Sequence, residues 1–285
     1  MNRKRRILPR YWSAHLVLLI GVFILAFPVY MAVVASTHDA ATIGRGTLPL
    51  VPGPHLVENY VQAWSVGSGA RVAGTPVRIM MLNSFIMAVL IAVGKITASV
   101  LSAYAFVFFQ FPLRGFFFGL IFVTLMLPLE VRIIPSYKVA TDLGLLNNFA
   151  GLTLPLMVSA TGTLLFRQVF RTIPRELIEA AKIDGAGPMR TFWSIILPLA
   201  RPSMAALFVI LFIYGWNQYL WPLLITTRPG MDTMVIGIVK MLGISESLVD
   251  WNIVMATTVM ALAVPVLVVL LLQRWLLMGL VETEK

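Results

Sequence analysis

Residues 172–202 read TIPRELIEAAKIDGAGPMRTFWSIILPLARP, and within them EAAKIDGA (179–186) is a polar run between long apolar blocks. The stretch resolves into two short helices. Thr172 is placed to cap and Pro174 suits a first turn, so the first helix is expected over Arg175–Ile183. Gly185 ends it, because glycine adopts the left-handed backbone that closes helices without a Cβ clash. Pro188 opens the second helix. Its apolar residues Met189, Phe192, Trp193, Ile196 and Leu197 follow the i, i+3, i+4, i+7 spacing of an amphipathic helix, and Pro198 and Pro202 stop it. Such a helix–turn–helix suits a membrane surface and offers its first half to another protein. Ala180 and Ala181 leave room for close approach, and Glu179 and Asp184 supply specific charge.

The rest of the chain explains why a polar insert stands out. Hydrophobic residues make up 59% of 285 and charged ones 12%, with a mean hydropathy of +0.89. Soluble domains average about 25% charged residues. The composition therefore describes an all-α integral membrane protein, one transmembrane domain over residues 1–285. A bilayer core takes roughly 20 apolar residues as helix. Six spans are expected, over 16–35, 83–109, 116–134, 149–166, 203–227 and 253–273. The first run is longer than the apolar stretch of a signal peptide, so it reads as a retained anchor. Residues 36–78, rich in Gly and Pro, are expected to form an irregular cap outside the membrane. Cysteine is absent, which removes disulfides and thiolate metal sites.

Lysine and arginine set the orientation. With the N-terminus inside, the cytoplasmic segments carry Arg3, Lys4, Arg5, Arg6, Arg10, Arg114, Arg167, Arg171, Arg175, Lys182, Arg190, Arg201, Arg274 and Lys285. The outside segments carry half as many: Arg45, Arg71, Arg78, Arg132, Lys138, Arg228 and Lys240. Both termini and residues 172–202 are thus expected in the cytoplasm of a multi-pass protein of the cell's inner (plasma) membrane, with lipid as its surroundings. Topology accounts for the net charge of +10 without a nucleic-acid partner.

No catalytic constellation emerges. GKIT (94–97) superficially resembles the end of a phosphate loop, but Val89 stands where the first glycine belongs and the segment lies within a span. His15, His38 and His55 have no metal-ligand spacing, and HExxH and GxSxG are absent. A proton-coupled carrier usually holds membrane-embedded carboxylates. The one acid near a span here is Glu130, at the outer end of the third. Glu130 and Arg132 read either as an ordinary charged helix end or as an outer gate. Trp216, Asn217, Gln218 and Tyr219 fall in the middle of the fifth span. Adjacent amides in lipid need partners, so they face either other helices or a pathway. Lys95 lies mid-way along the second span, roughly 18–21 Å from either end, too deep to snorkel. A charge there costs at least about 2.5 kcal/mol, so it must face a partner group or a polar cavity.

The spacing Glu179-Ala180-Ala181, three residues, Gly185, nine residues, Ile195-x-Leu197-Pro198 resembles the EAA loop of ABC importer membrane subunits. The likeness extends along nearly the whole chain through LNSFIMA (82–88), GKIT (94–97), LSAYAF (101–106), TLMLPLEVRI (124–133), GLTLPLM (151–157), LFRQ (165–168) and FIYGWNQYLWPLLI (212–225). These stretches are similar to carbohydrate-uptake permeases with the MetI-like fold, and among them to the second, E-type membrane subunits of sn-glycerol-3-phosphate importers. The resemblance implies a non-catalytic pore subunit that imports glycerol 3-phosphate or glycerophosphodiesters; another sugar or polyol stays open as the substrate, and an ion-coupled carrier as the rival class. It implies an A-type permease partner, an external substrate-binding protein, and a dimer of ATPase subunits that hold ATP and magnesium, with no cofactor or metal in this chain. Glu179, Ala180, Ala181, Asp184 and Gly185 would then couple to the ATPase. Lys95 would either make a structural pair or draw an anionic phosphate through the pore, and residues 216–219 would line the path.

Overall fold

The computed structural model describes residues 12–46, 49–67, 74–125, 129–158, 160–228, 230–242 and 249–281, which are helical apart from short connections. In order the helices are α1 (Trp12–Ala35), α2 (Ala40–Gly44), α3 (Leu56–Ser65), α4 (Val77–Phe108), α5 (Arg114–Leu125), α6 (Leu129–Asp142) and α7 (Phe149–Thr153), the last followed by a 3₁₀ turn at Leu154–Leu156. Then come α8 (Ala160–Arg171), α9 (Arg175–Ile183), α10 (Pro188–Thr191), a π turn (Phe192–Ile196), α11 (Leu197–Leu199), α12 (Arg201–Trp216), α13 (Leu220–Ile225), α14 (Met234–Leu242) and α15 (Trp251–Val281). Both chain termini, on which the orientation argument leans, lie outside the described residues.

Among the described residues three helices are long and apolar enough to cross a bilayer: α1, α4 and residues Trp251–Leu276 of α15. Two bent helix pairs also meet that test when each pair is taken together. Phe149–Leu156 meets Ala160–Arg171 at 53°, and Pro188–Leu199 meets Arg201–Trp216 at 69°. The second span begins at Val77, earlier than the expected 83, because apolar residues from Ile79 onward extend the same helix. Of the expected third span, 116–134, the described residues belong to α5 and α6, and residues 126–128 between them lie outside the described residues. The fifth, expected over 203–227, is broken: α12 ends at Trp216 and α13 restarts at Leu220.

The chain divides into two compact units, one holding residues up to Val77 with Lys240–Leu262, the other Arg78–Val239 with Ala263 onward. In the first, the segment expected to be irregular contains α2 and α3. Asp39 caps α2 by accepting from the Thr42 amide at 3.3 Å, and its bond to the Thr42 hydroxyl holds its carboxyl below the usual range. Buried Asn59 pins α3: its Nδ2 donates to the carbonyls of Ser36 (2.9 Å) and His38 (2.8 Å), and its Oδ1 accepts from Asn252 on α15 (2.7 Å). A buried amide is stable only when its donors and acceptor are met in this way.

The second unit is built around α4. Lipid is as apolar as leucine, so close packing and hydrogen bonds must hold membrane helices together. Gly215 brings α12 so near that a Cβ there would stand 2.9 Å from the Ala88 backbone, and Gly162 brings α8 to within 2.3 Å of the Ser99 hydroxyl by the same measure. At the far end of α4, Asn83 donates to the carbonyls of Gly230 (2.8 Å) and Asp232 (3.0 Å), and the Met234 amide donates to Ser84 (2.7 Å). Met87, Ile91, Ile133, Leu152, Trp221 and Ile225 form a buried apolar cluster, with Trp221 donating to the Gly151 carbonyl at 3.0 Å. Asn147, in the left-handed region at φ 56°, closes the α6–α7 connection by accepting from the amides of Thr227 and Arg228.

Overpacking a close helix contact costs about 1–3 kcal/mol. Gly215→Ala is therefore expected to lower the thermal unfolding midpoint of the purified protein by several degrees. Gly119→Ala, where an added Cβ meets nothing within 4 Å, is expected not to lower it.

Candidate functional site: an exposed coupling segment and a buried lysine

Helix α9 starts and ends where the prolines and glycine dictate. Pro174 occupies the cap position. Thr172 does not cap α9; its hydroxyl donates backward to the Val169 carbonyl at 2.8 Å and closes α8 instead. At the other end Gly185 has φ +73°. Its amide donates to the Lys182 carbonyl (3.0 Å), and the Ala186 amide reaches back to Ala181 (2.8 Å). This is the paired closure that a left-handed residue after a helix allows.

Glu179, Ala180, Asp184 and Gly185 are exposed, whereas Ala181 is buried. Leu177, Ala180, Ala181, Asp184, Arg190 and Ser194 line a cleft of about 320 Å³ between α9 and the helix that follows. On the same two helices Ile183 and Trp193 are exposed, at 86% and 61%. Large exposed apolar side chains beside charged ones are a common feature of interaction surfaces. Of the five expected apolar residues of the second helix, Phe192 and Ile196 are buried, while Met189 and Trp193 point outward. The contribution of Ile183 was not singled out in the sequence, although a fully exposed isoleucine beside Asp184 at a helix end is the kind of residue that needs covering.

Pro198 shapes the second helix. It has no amide to donate to Ser194, and its ring crowds the preceding turn. The turn before it widens, so that the Leu197 amide donates to Phe192, five residues back. The helix is anchored to α4 by Tyr104. Its hydroxyl donates to the Pro188 carbonyl at 2.7 Å, and its ring lies 4.8 Å from that of Phe192.

Farther along α4, Lys95 is 8% exposed and its Nζ stands 3.9 Å from the centroid of the Tyr214 ring on α12. An aromatic face can hold a cation where water is excluded. The partner that the depth of Lys95 demanded is thus a ring rather than an acid. Arg132 on α6 lies close enough for its charge to repel that of Lys95. Gln218 donates to the Tyr214 carbonyl at 3.2 Å, just beyond the end of α12. Trp216 is 2% exposed and stacks on Phe212, with centroids 5.9 Å apart, so it packs within the chain. Asn217 is the C-cap of α12, and it and Tyr219 are exposed. The block 216–219 therefore sits at a helix break. Glu130 is on α6, but its side chain lies outside the described residues. The structure brings Lys95 and Gln218 to Tyr214, sets Arg132 near enough for its charge to act on Lys95, and packs Trp216 against Phe212. Tyr214 was missed because aromatic residues are frequent in the segment and nothing local links it to Lys95.

Residues 94–280 match the family described as "Binding-protein-dependent transport system inner membrane component". The chain is 56% identical over 271 residues to the sn-glycerol-3-phosphate transport system permease protein UgpE of Yersinia pestis, covering 95% of this chain and 96% of the relative. The protein of the same name from Rhizobium meliloti (strain 1021) is equally similar, and that of Agrobacterium fabrum (strain C58 / ATCC 33970) is 55% identical over 272 residues. In fold the chain is similar to one from a solved bacterial ABC transporter involved in the import of the acidic polysaccharide alginate. The TM-score is 0.78 at 23% identity, covering 96% of this chain and 98% of that one.

A β-carbon at a left-handed position costs about 1–2 kcal/mol. In Gly185→Ala, where the added methyl meets open space, that cost falls wholly on the closure of α9. Amide exchange at Ala186, whose N–H is held by that closure, is expected to accelerate by roughly fivefold or more. Unchanged exchange would show that the cap does not depend on glycine.

Proposed function

The chain belongs to the family of binding-protein-dependent inner membrane transport components, and on that basis we propose that it is one of two membrane subunits of an ATP-driven importer of sn-glycerol 3-phosphate or related glycerophosphodiesters. The high identity to relatives named for glycerol-3-phosphate transport supports the substrate. The observation that carries the coupling role is the exposed face of α9: a charged, cleft-bearing, partly apolar surface on a chain otherwise suited to lipid.

In this reading the chain catalyses no bond chemistry. A dimer of ATPase subunits, holding ATP and magnesium, docks on Glu179, Ala180, Asp184, Gly185 and the cleft beside them. The second permease subunit completes the pore, and an external binding protein delivers substrate. Both termini and α9 face the cytoplasm. When the ATPase dimer closes, α9 and the following helix shift together, and Tyr104 passes that displacement to α4 through the Pro188 carbonyl and the Phe192 ring. Helix α4 carries Lys95 in the middle of the membrane. Lys95 and Arg132 are cations without a carboxylate partner among the described residues, and they give the interior a positive character that favours a phosphate. Tyr214 holds Lys95 when no anion is present. Asn217, Gln218 and Tyr219, at the break after α12, offer polar groups to a polyol. Trp216 supports that break from within, and Glu130 with Arg132 forms the outer gate.

The two parts of the reading separate in reconstituted vesicles. Glu179→Lys is expected to abolish substrate-stimulated ATP hydrolysis while the chain still inserts, because charge reversal at a docking face opposes association. Lys95→Met is expected to preserve stimulated hydrolysis but to lower uptake of the phosphorylated substrate at least about tenfold, the loss of one charge-assisted contact. Full stimulation in Glu179→Lys contradicts the docking assignment, and full uptake in Lys95→Met limits Lys95 to a structural part.

A further inference from the structure

A second basic cluster lies apart from both sites, where α5 packs on α8. Arg167 on α8 stands over the Phe118 ring of α5, its guanidinium carbon 4.2 Å from the centroid. Arg171, one turn farther along α8, and Arg114, the first residue of α5, are both near enough for their charges to act on it. Arg114 also donates to the Phe109 carbonyl at 3.3 Å. Among the described residues none of the three meets a carboxylate: the ion pairs there join His55 to Glu58 and Lys138 to Asp142.

Three guanidinium groups held together repel one another, the more so at a low-dielectric boundary. Such a cluster becomes favourable when an anion sits among them, and guanidinium groups match the paired oxygens of a phosphate. The neighbouring flank of α5 identifies the kind of anion. Phe116, Leu120, Phe122 and Val123 are all exposed, giving an apolar surface that starts at the arginines and runs along the helix. Phosphate-sized charge at one end and an open apolar strip along the other match a phospholipid better than an acidic protein surface.

We propose that Arg114, Arg167 and Arg171 bind the phosphodiester headgroup of an anionic phospholipid, whose acyl chains lie along the exposed face of α5. Basic pockets between transmembrane helices suit such headgroups. Because Arg171 is followed directly by the segment leading to α9, the bound lipid steadies the root of the coupling segment. The inference rests on α5 and α8 lying in the membrane and not on the identity of the transported substrate.

The test uses the intact transporter in nanodiscs of phosphatidylcholine with about one third phosphatidylglycerol. Native mass spectrometry then counts the phosphatidylglycerol retained after release. Arg171→Gln, at an exposed position, and Arg167→Gln/Arg171→Gln are compared with wild type and with Arg175→Gln, a neighbouring charge outside the cluster. Losing a charged hydrogen bond corresponds to about a tenfold change in binding. Retention is expected to fall by about that factor in Arg171→Gln, further in the double variant, and not in Arg175→Gln, with Arg167→Lys intermediate. Equal retention in all variants overturns the proposal. So does loss of the ATPase subunits with lipid retention unchanged, which would make the cluster a protein-docking surface. Glycerol-3-phosphate uptake in wild type is measured separately, so a wrong substrate leaves this outcome readable.

Discussion

The contact between Tyr104 and the helix after Gly185 is the joint on which the rest of the molecule turns. A single side chain supplies both a directional bond, 2.7 Å to the Pro188 carbonyl, and a ring contact with Phe192. It also sits among Phe108 and Phe109, with ring centroids 5.2 and 5.4 Å away. Helix α4 is thereby fastened at one end to the helix after α9, the exposed segment proposed for coupling, and at the other, through Asn83 and Ser84, to the connection before α14. Lys95 lies between them. A displacement of the coupling segment that keeps the Tyr104 contact must move or tilt the helix that carries the buried cation.

Breaks in the other crossings follow from the demand that backbone groups in a membrane be met within the protein. Where a helix yields, a specific residue takes up the freed groups. Pro198 widens a turn into the π pattern, and Pro202 sits in the first turn of the helix that starts after the bend. Gln218 bonds the Tyr214 carbonyl as α12 ends, and Trp221 reaches the carbonyl of Gly151. These irregularities lie beside the groups proposed to act, the cleft of the coupling segment in one case and the Lys95–Tyr214 pair in the other. Broken helices leave polar backbone and side chains available in places where an unbroken helix would present a closed apolar surface.

The sequence was most legible where the determinants were local. Gly185 and Pro174 place the ends of α9 because backbone conformation at those residues is decided by their own chemistry. The membrane class followed from composition, and the pattern from Glu179 to Pro198 pointed to the family to which the chain belongs. Legibility failed where the determinant was distant or absent from composition. A window of apolar residues looks the same whether the helix runs through it or stops, so the end of α12 at Trp216 was hidden. The helices between α1 and α4 were missed because α3 is held by Asn59 reaching Ser36, His38 and Asn252, contacts that span much of the chain. The Tyr214 face over Lys95 is likewise a pairing across two helices, and Thr172 spent its hydroxyl on the helix behind it rather than the one ahead.

The most direct measurement of the central claim is the number of ATP molecules hydrolysed per substrate molecule imported by the reconstituted transporter carrying Tyr104→Leu. Leucine keeps apolar bulk beside Phe192 but cannot donate to the Pro188 carbonyl. If Tyr104 links the coupling segment to α4, hydrolysis continues near the wild-type rate while import falls, and the ratio rises severalfold. A ratio equal to that of wild type, in a variant that assembles normally, would contradict the account.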